Sequence, residues 1–343
     1  MPTVLHVLPP DAALACYGPE DWIDTSAAFT PLVVDGVPAH APRPGLWQRA
    51  WQRLTRRPAQ VDTLSAWLAE QDVAIVHLHT LHDSAPLCAA AQRRNIPVVL
   101  SWPRDGGSVA FESFARVLAP SPIAADRLLA EGCPSERLRI APPPLVVNQN
   151  RPYHARSQSP LRWVTAGARH ELASLHTALD AFARVAGEAR LSVVIPPLLE
   201  TALRQAIADR NLQAKTEIVI AENATALRLA FADAHFGLFP ALPAGLGTGV
   251  PFSVWMAAAS GLPCVLGESA AADGFLHQQQ ALLAAPSVEA IASQMAFLSA
   301  RPYIWLLLGT AAATSAGDRL AYDRACKIPF EVYRQVLSTP LYA

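Results

Sequence analysis

The stretch Asp72-Val73-Ala74-Ile75-Val76-His77-Leu78-His79 is followed by the alanine-rich Ala85 to Arg94 and then by Ile96-Pro97-Val98-Val99-Leu100-Ser101. It reads as strand, helix, strand. The middle segment has no interior glycine and carries arginines at its end, so a crossover helix ending near Asn95 is expected. Short apolar runs alternating with amphipathic helical segments indicate a parallel sheet with crossover helices. The same reading extends outward to strands at Val4 to Leu8 and Val117 to Ala119.

The pattern then repeats. Leu161 to Ala166, Leu191 to Ile195, Glu217 to Ile220, Phe236 to Phe239 and Pro263 to Leu266 read as strands, with a helix over Leu172 to Ala186. Between the two series, Pro142-Pro143-Pro144, Pro152 and Pro160 bracket the polar segments Asn148-Gln149-Asn150 and Ser157-Gln158-Ser159, which marks an interdomain linker. The expected boundaries are a first domain at 1–148, a linker at 149–160 and a second domain at 161–326. A terminal helix within 327–343, centred on Phe330 to Leu337, is expected to cross back to the first domain. Open parallel sheets place ligands beyond the carboxyl ends of their strands, so two such domains face to face would enclose a cleft.

Composition agrees with two globular domains. The chain has 343 residues, 52% hydrophobic and 16% charged, enough apolar side chain for two buried sheets and too much for a disordered chain. A net charge of -1 gives no global attraction to nucleic acid, which is excluded as a partner. The five cysteines are scattered, without a Cys-x-x-Cys pair, as in a protein of a reducing cytoplasm. The first residues lack a basic region and read as a strand instead of a signal peptide. The most apolar run, Ile304 to Ala313, is too short to span a bilayer.

Three segments, in order, resemble glycosyltransferase family 4. The first is the Asp72 to His79 strand ending in His-x-His, with the later Pro97-Val98-Val99. The second is Val117-Leu-Ala-Pro-Ser121, Ala125 to Gly132, and Glu136-Arg-Leu-Arg-Ile-Ala-Pro142. The third is Gly237-Leu-Phe-Pro240 through Trp255-Met-Ala-Ala-Ala-Ser-Gly-Leu-Pro-Cys-Val265. The resemblance implies the GT-B fold, two Rossmann-like domains, the first binding an acceptor and the second a nucleotide-diphosphate sugar, with no cofactor and no metal. It also shows departures. Aligned on Gly261 and Pro263, the family's paired glutamates correspond to Thr248 and Met256, neither a carboxylate. The family's diphosphate cations follow a glycine; here Gly167 and Ala168 precede Arg169, and Ala173 sits near the lysine position. Lys215 and Lys327 are the only lysines, both far from this loop. Arg169 is the remaining cation for a leaving diphosphate, whose developing charge needs cations or aligned donors.

Local sequence adds further candidates. Gly245-Leu246-Gly247-Thr248-Gly249 precedes a helix and could offer backbone N–H groups to a phosphate, or be a plain flexible connection. His77 and His79 project to the same face of a strand, with His82 nearby. No cysteine or carboxylate cluster accompanies them, so a metal is not expected; they read as core histidines, or with His79 as a general base and His77 and Ser121 as acceptor contacts. Ser121 lies in no nucleophile-elbow sequence. Trp47, Ala50, Trp51 and Leu54 form one helical stripe beside Arg49, Arg53, Arg56 and Arg57, a surface helix packed on the sheet or a basic amphipathic helix that meets anionic lipid at the inner membrane face or a protein partner. Two functions follow: an active glycosyltransferase with altered donor contacts and an unidentified acceptor, or an inactive GT-B-like subunit supporting a partner.

Overall fold

A computed structural model describes residues 1–8, 29–35, 59–81, 84–102, 109–142, 160–167, 171–185, 187–221, 224–240, 250–320, 325 and 327–338. The chain divides into two compact units, each built on a six-stranded sheet whose neighbouring strands all run parallel.

In the first unit, β1 (Thr3–Leu8), β2 (Thr30–Asp35), β3 (Val73–Leu78), β4 (Val98–Ser101), β5 (Arg116–Ala119) and β6 (Leu138–Ile140) take the order β2-β1-β3-β4-β5-β6. The strand alternation sorts side chains to two faces. Leu5 and Val7 of β1, with Val76 and Leu78 of β3, pack with residues of α1 (Ala59–Glu70), α2 (Ala85–Arg93) and α3 (Pro122–Ala130). Val4, Ile75, Val99 and Leu118 point the other way and meet Val332, Tyr333 and Val336 of the last helix, α10 (Lys327–Ser338). The last helix in the sequence therefore closes the core of the first sheet.

The second unit holds β7 (Leu161–Ala166), β8 (Ala189–Ile195), β9 (Thr216–Ile220), β10 (Phe236–Phe239), β11 (Cys264–Gly267) and β12 (Leu282–Ala284), ordered β12-β11-β10-β7-β8-β9. Counted from β7, this is the doubly wound order 6-5-4-1-2-3 of nucleotide-binding sheets. One face packs on α4 (Leu172–Phe182), α5 (Glu200–Asp209) and α8 (Val288–Ser299) through Trp163, Leu191 and Val265. The other carries Val164, Val194 and Leu266 against α6 (Ala224–Asp233), α7 (Phe252–Ala259) and α9 (Pro302–Leu320).

All eight residues of α7 are buried, so its end must be satisfied internally. Gly261 N–H donates to Ala258 O at 2.9 Å and Leu262 N–H to Ala257 O at 3.1 Å, the paired bonds of a Schellman cap. Gly261 has φ +73°, which glycine adopts without strain. The Ala-Ala-Ala-Ser-Gly-Leu-Pro run thus encodes a helix, its stop and the entry to β11.

Among the described cysteines, Cys88, Cys133 and Cys264 are buried free thiols. Burial pushes the Cys264 thiol up to about 12 and that of Cys88 to about 11, from an ordinary value near 9. Between about pH 9 and pH 11 the folded chain keeps protons that the unfolded chain releases. Stability contributed by these groups is full below pH 9 and is lost as pH rises, by up to about 1.4 kcal/mol per pH unit per thiol. Urea unfolding followed from about pH 8 to pH 10.5 should show a shallower decline in Cys264→Ala than in the natural chain; parallel declines would refute the assignment.

Candidate functional site

Each sheet has one position where strand order reverses, and in open parallel sheets the crevice at the carboxyl ends of those strands is where ligands bind. In the second unit the reversal lies between β7 and β10, whose Phe236 and Gly237 pair with Trp163 and Val164. Gly167 directly follows β7. Its N–H donates to Val194 O at 3.1 Å, and a Cβ there would stand 3.0 Å from Leu175 Cγ, so glycine lets α4 approach the strand end. The segment after it contains Arg169, and the segment after β10 contains Gly245, Gly247, Thr248 and Gly249. Arg169 and these four residues lie outside the described residues, as do His82 and the run with Trp47, Arg49, Trp51, Arg53, Arg56 and Arg57. By chain connectivity the two loops leave adjacent strands at their carboxyl ends, one leading to α4 and the other to Pro251, which precedes α7.

Met256, aligned with the second family glutamate, lies in α7 at 3% exposure within the apolar core. A carboxylate there would have to be buried among alanines and leucines, so methionine fits the packing and offers no charged contact to a ribose. Ser121 is the N-cap of α3: its Oγ accepts from Ala124 N–H at 3.2 Å, with Pro122 in the first turn. That is a helix-start role.

In the first unit the reversal lies between β1 and β3, and His6 pairs in register with His77 there. Sequence reading singled out His77 and His79 and passed over His6. The missed signal was a histidine inside the apolar strand Thr3–Leu8, on the face shared with Val4. His6, His77 and His79 are at 2%, 0% and 1% exposure. His6 Nδ1 lies 3.2 Å from His79 Nε2; His77 Nε2 lies 2.8 Å from Ser101 Oγ, and its Nδ1 hydrogen-bonds the Tyr333 hydroxyl on α10. The His77 and His79 ring centroids are 4.1 Å apart.

Burial holds all three imidazoles neutral. Desolvation first, then the charge of His79, pushes His6 well below its ordinary value, and desolvation, then His79 and His6, does the same to His77. His79 is pushed down to about 3 by desolvation. A base of that strength, enclosed and hydrogen-bonded to His6, draws a proton weakly at neutral pH, because efficient general bases titrate near the working pH. The geometry therefore makes His79 part of a buried cluster of three imidazoles.

No family model matches the chain, and no curated protein sequence matches it. Solved structures do. A glycosyltransferase from Rickettsia africae ESF-5 shares 12% identity at TM-score 0.66, covering 98% of this chain and 99% of its own. Anabaena Alr3699/HepE in complex with UDP and glucose shares 13% identity at TM-score 0.73, covering 98% and 100%. Sucrose-phosphate synthase (tll1590) from Thermosynechococcus elongatus shares 15% identity at TM-score 0.73, again covering 98% and 100%. With its two six-stranded parallel sheets and helices on both faces of each, the chain has the GT-B fold of these structural neighbours.

Proposed function

We propose that this chain is a nucleotide-sugar-dependent glycosyltransferase, its second unit holding the donor diphosphate and its first unit the acceptor. The observation that carries this reading is topological: the loops with Arg169 and with Gly245 to Gly249 leave the neighbouring strands β7 and β10 at the point of strand reversal. Backbone N–H groups of a glycine-rich loop and a following helix N-terminus favour phosphate. Arg169 would stabilise the charge that develops on the leaving diphosphate. Structural neighbours in complex with UDP, UDP and glucose, or UDP-glucose make uridine diphosphate the first nucleotide to test. No cofactor is needed for displacement at a sugar carbon with a diphosphate leaving group.

The test is isothermal titration of the full chain with UDP at low salt. Arg169→Ala should weaken binding by about 1–3 kcal/mol, the scale of a charge-assisted hydrogen bond, and should flatten the dependence on salt. Unchanged affinity would remove Arg169 from the donor site. Absence of UDP binding by the natural chain, with no transfer from common nucleotide sugars, would overturn the enzyme reading.

One observation favours a second reading, a GT-B-like subunit that supports a partner protein: Met256 occupies a buried core position where the family's carboxylate would stand. Under either reading the proposed place of action is the cytoplasm. The basic amphipathic run from Leu46 to Arg57 is proposed to meet the inner membrane face or a protein. No helix among the described residues is long and apolar enough to cross a membrane.

A further inference from the structure

His6 lies in β1, His77 in the adjacent β3 and His79 directly after β3, and the proposed donor chemistry uses none of them. One nitrogen from each can be chosen so that all three lie within 4.8 Å of one another. The pair His6 Nδ1 and His79 Nε2, 3.2 Å apart, already has the spacing of two ligands on one zinc ion. Zinc–nitrogen bonds of about 2.0–2.1 Å in a tetrahedron set ligand nitrogens about 3.3 Å apart. The third nitrogen is that of His77, which would exchange a present hydrogen bond for the ion, because its Nε2 is on Ser101 Oγ and its Nδ1 on the Tyr333 hydroxyl.

The surroundings match what such a triad requires. Metal-binding imidazoles hold their second nitrogen on an oxygen, which orients the ring; His77 has Ser101 Oγ at 2.8 Å from Nε2. Its Nδ1, hydrogen-bonded to the Tyr333 hydroxyl of α10, is the nitrogen that would turn to the ion, leaving Tyr333 at the edge of the site. Imidazole is the ligand of zinc, copper and nickel, whereas calcium and magnesium take oxygen ligands. Among the described residues the cluster contains no carboxylate and no thiolate.

We infer that His6, His77 and His79 form a buried site for a borderline divalent ion, zinc in the first instance, with Tyr333 at its edge. The ion would tie β1 and β3 to α10, a structural role distinct from the donor site. The sequence leads to no expected metal, because no cysteine or carboxylate cluster accompanies His77 and His79 and the resembled family needs none; the structure adds His6 as a third imidazole.

The experiment uses the full chain, stripped with a chelator, dialysed and titrated with zinc alone. One ion per chain should bind and raise the melting temperature, and cobalt in its place should give the intense visible bands of tetrahedral coordination. His6→Gln and His79→Gln should each lose the high-affinity ion, and Ser101→Ala should weaken it by about 10- to 100-fold. Binding of less than a tenth of an ion per chain with an unchanged melting temperature would overturn the assignment, as would affinity undiminished in both histidine variants. If those variants fail to fold, the cobalt spectrum of the natural chain decides: tetrahedral bands support the site, and a pale octahedral spectrum overturns it.

Discussion

Gly309→Ala is expected to destabilise the second unit by about 2–3 kcal/mol, although alanine is the better helix former by about 1 kcal/mol. Gly309 lies within α9, where that helix crosses the turn after α7. A Cβ built there would stand 2.1 Å from Gly261 O and 3.1 Å from Gly261 C. These are backbone atoms of a capped turn, held by the two bonds that end α7, so no side chain can swing aside. Either α9 shifts outward, or the cap breaks and leaves buried carbonyls without donors. Both outcomes exceed the propensity gain. Thr310→Ala, one residue on and exposed, is the control and should be neutral within about 0.5 kcal/mol. Urea unfolding of the three chains measures the difference; a Gly309→Ala chain as stable as the control would show that the helices separate freely.

Gly247→Trp is expected to abolish nucleotide binding and sugar transfer while leaving the unfolding midpoint near that of the natural chain. The proposal requires backbone N–H groups of the loop to contact phosphate, and an indole on the central glycine would fill the space a diphosphate needs. Loss of such donors costs about 100- to 1,000-fold in rate. The two readings diverge here. For an enzyme, Gly247→Trp is inactive and a Trp47→Ala, Trp51→Ala chain remains active. For a supporting subunit, Gly247→Trp leaves the partner's activity intact and the tryptophan variant does not. Transfer by the purified single chain that survives Gly247→Trp would place donor binding elsewhere.

What the sequence makes legible follows from burial. β3, α2 and β4 announce themselves because parallel strands covered on both faces need unbroken apolar runs, and the helix between them needs only its alanines and terminal arginines. β7, β8, β10 and β11 are readable for the same reason. β2 and β12 are edge strands with one neighbour each, and β12 is only three residues long, so little in their composition separates them from connecting segments. The histidine cluster was half visible: the spacing of His77 and His79 puts them on one face, whereas the approach of His6 depends on pairing across 71 residues of chain, a register that no local pattern encodes. Tyr333 is more remote still. Ser121 reads as chemistry in isolation and as a cap once α3 is seen to begin beside it.

The packing of α10 on the first sheet also sets an order of events at the ribosome. Val4, Ile75, Val99 and Leu118 are translated early, but the helix that covers them is made only after the second unit has been synthesised. At about 5–20 residues per second, roughly 10–40 s separate synthesis of β6 from that of α10. Throughout that interval the nascent first unit carries an apolar sheet face open to water, a surface for chaperones to shield.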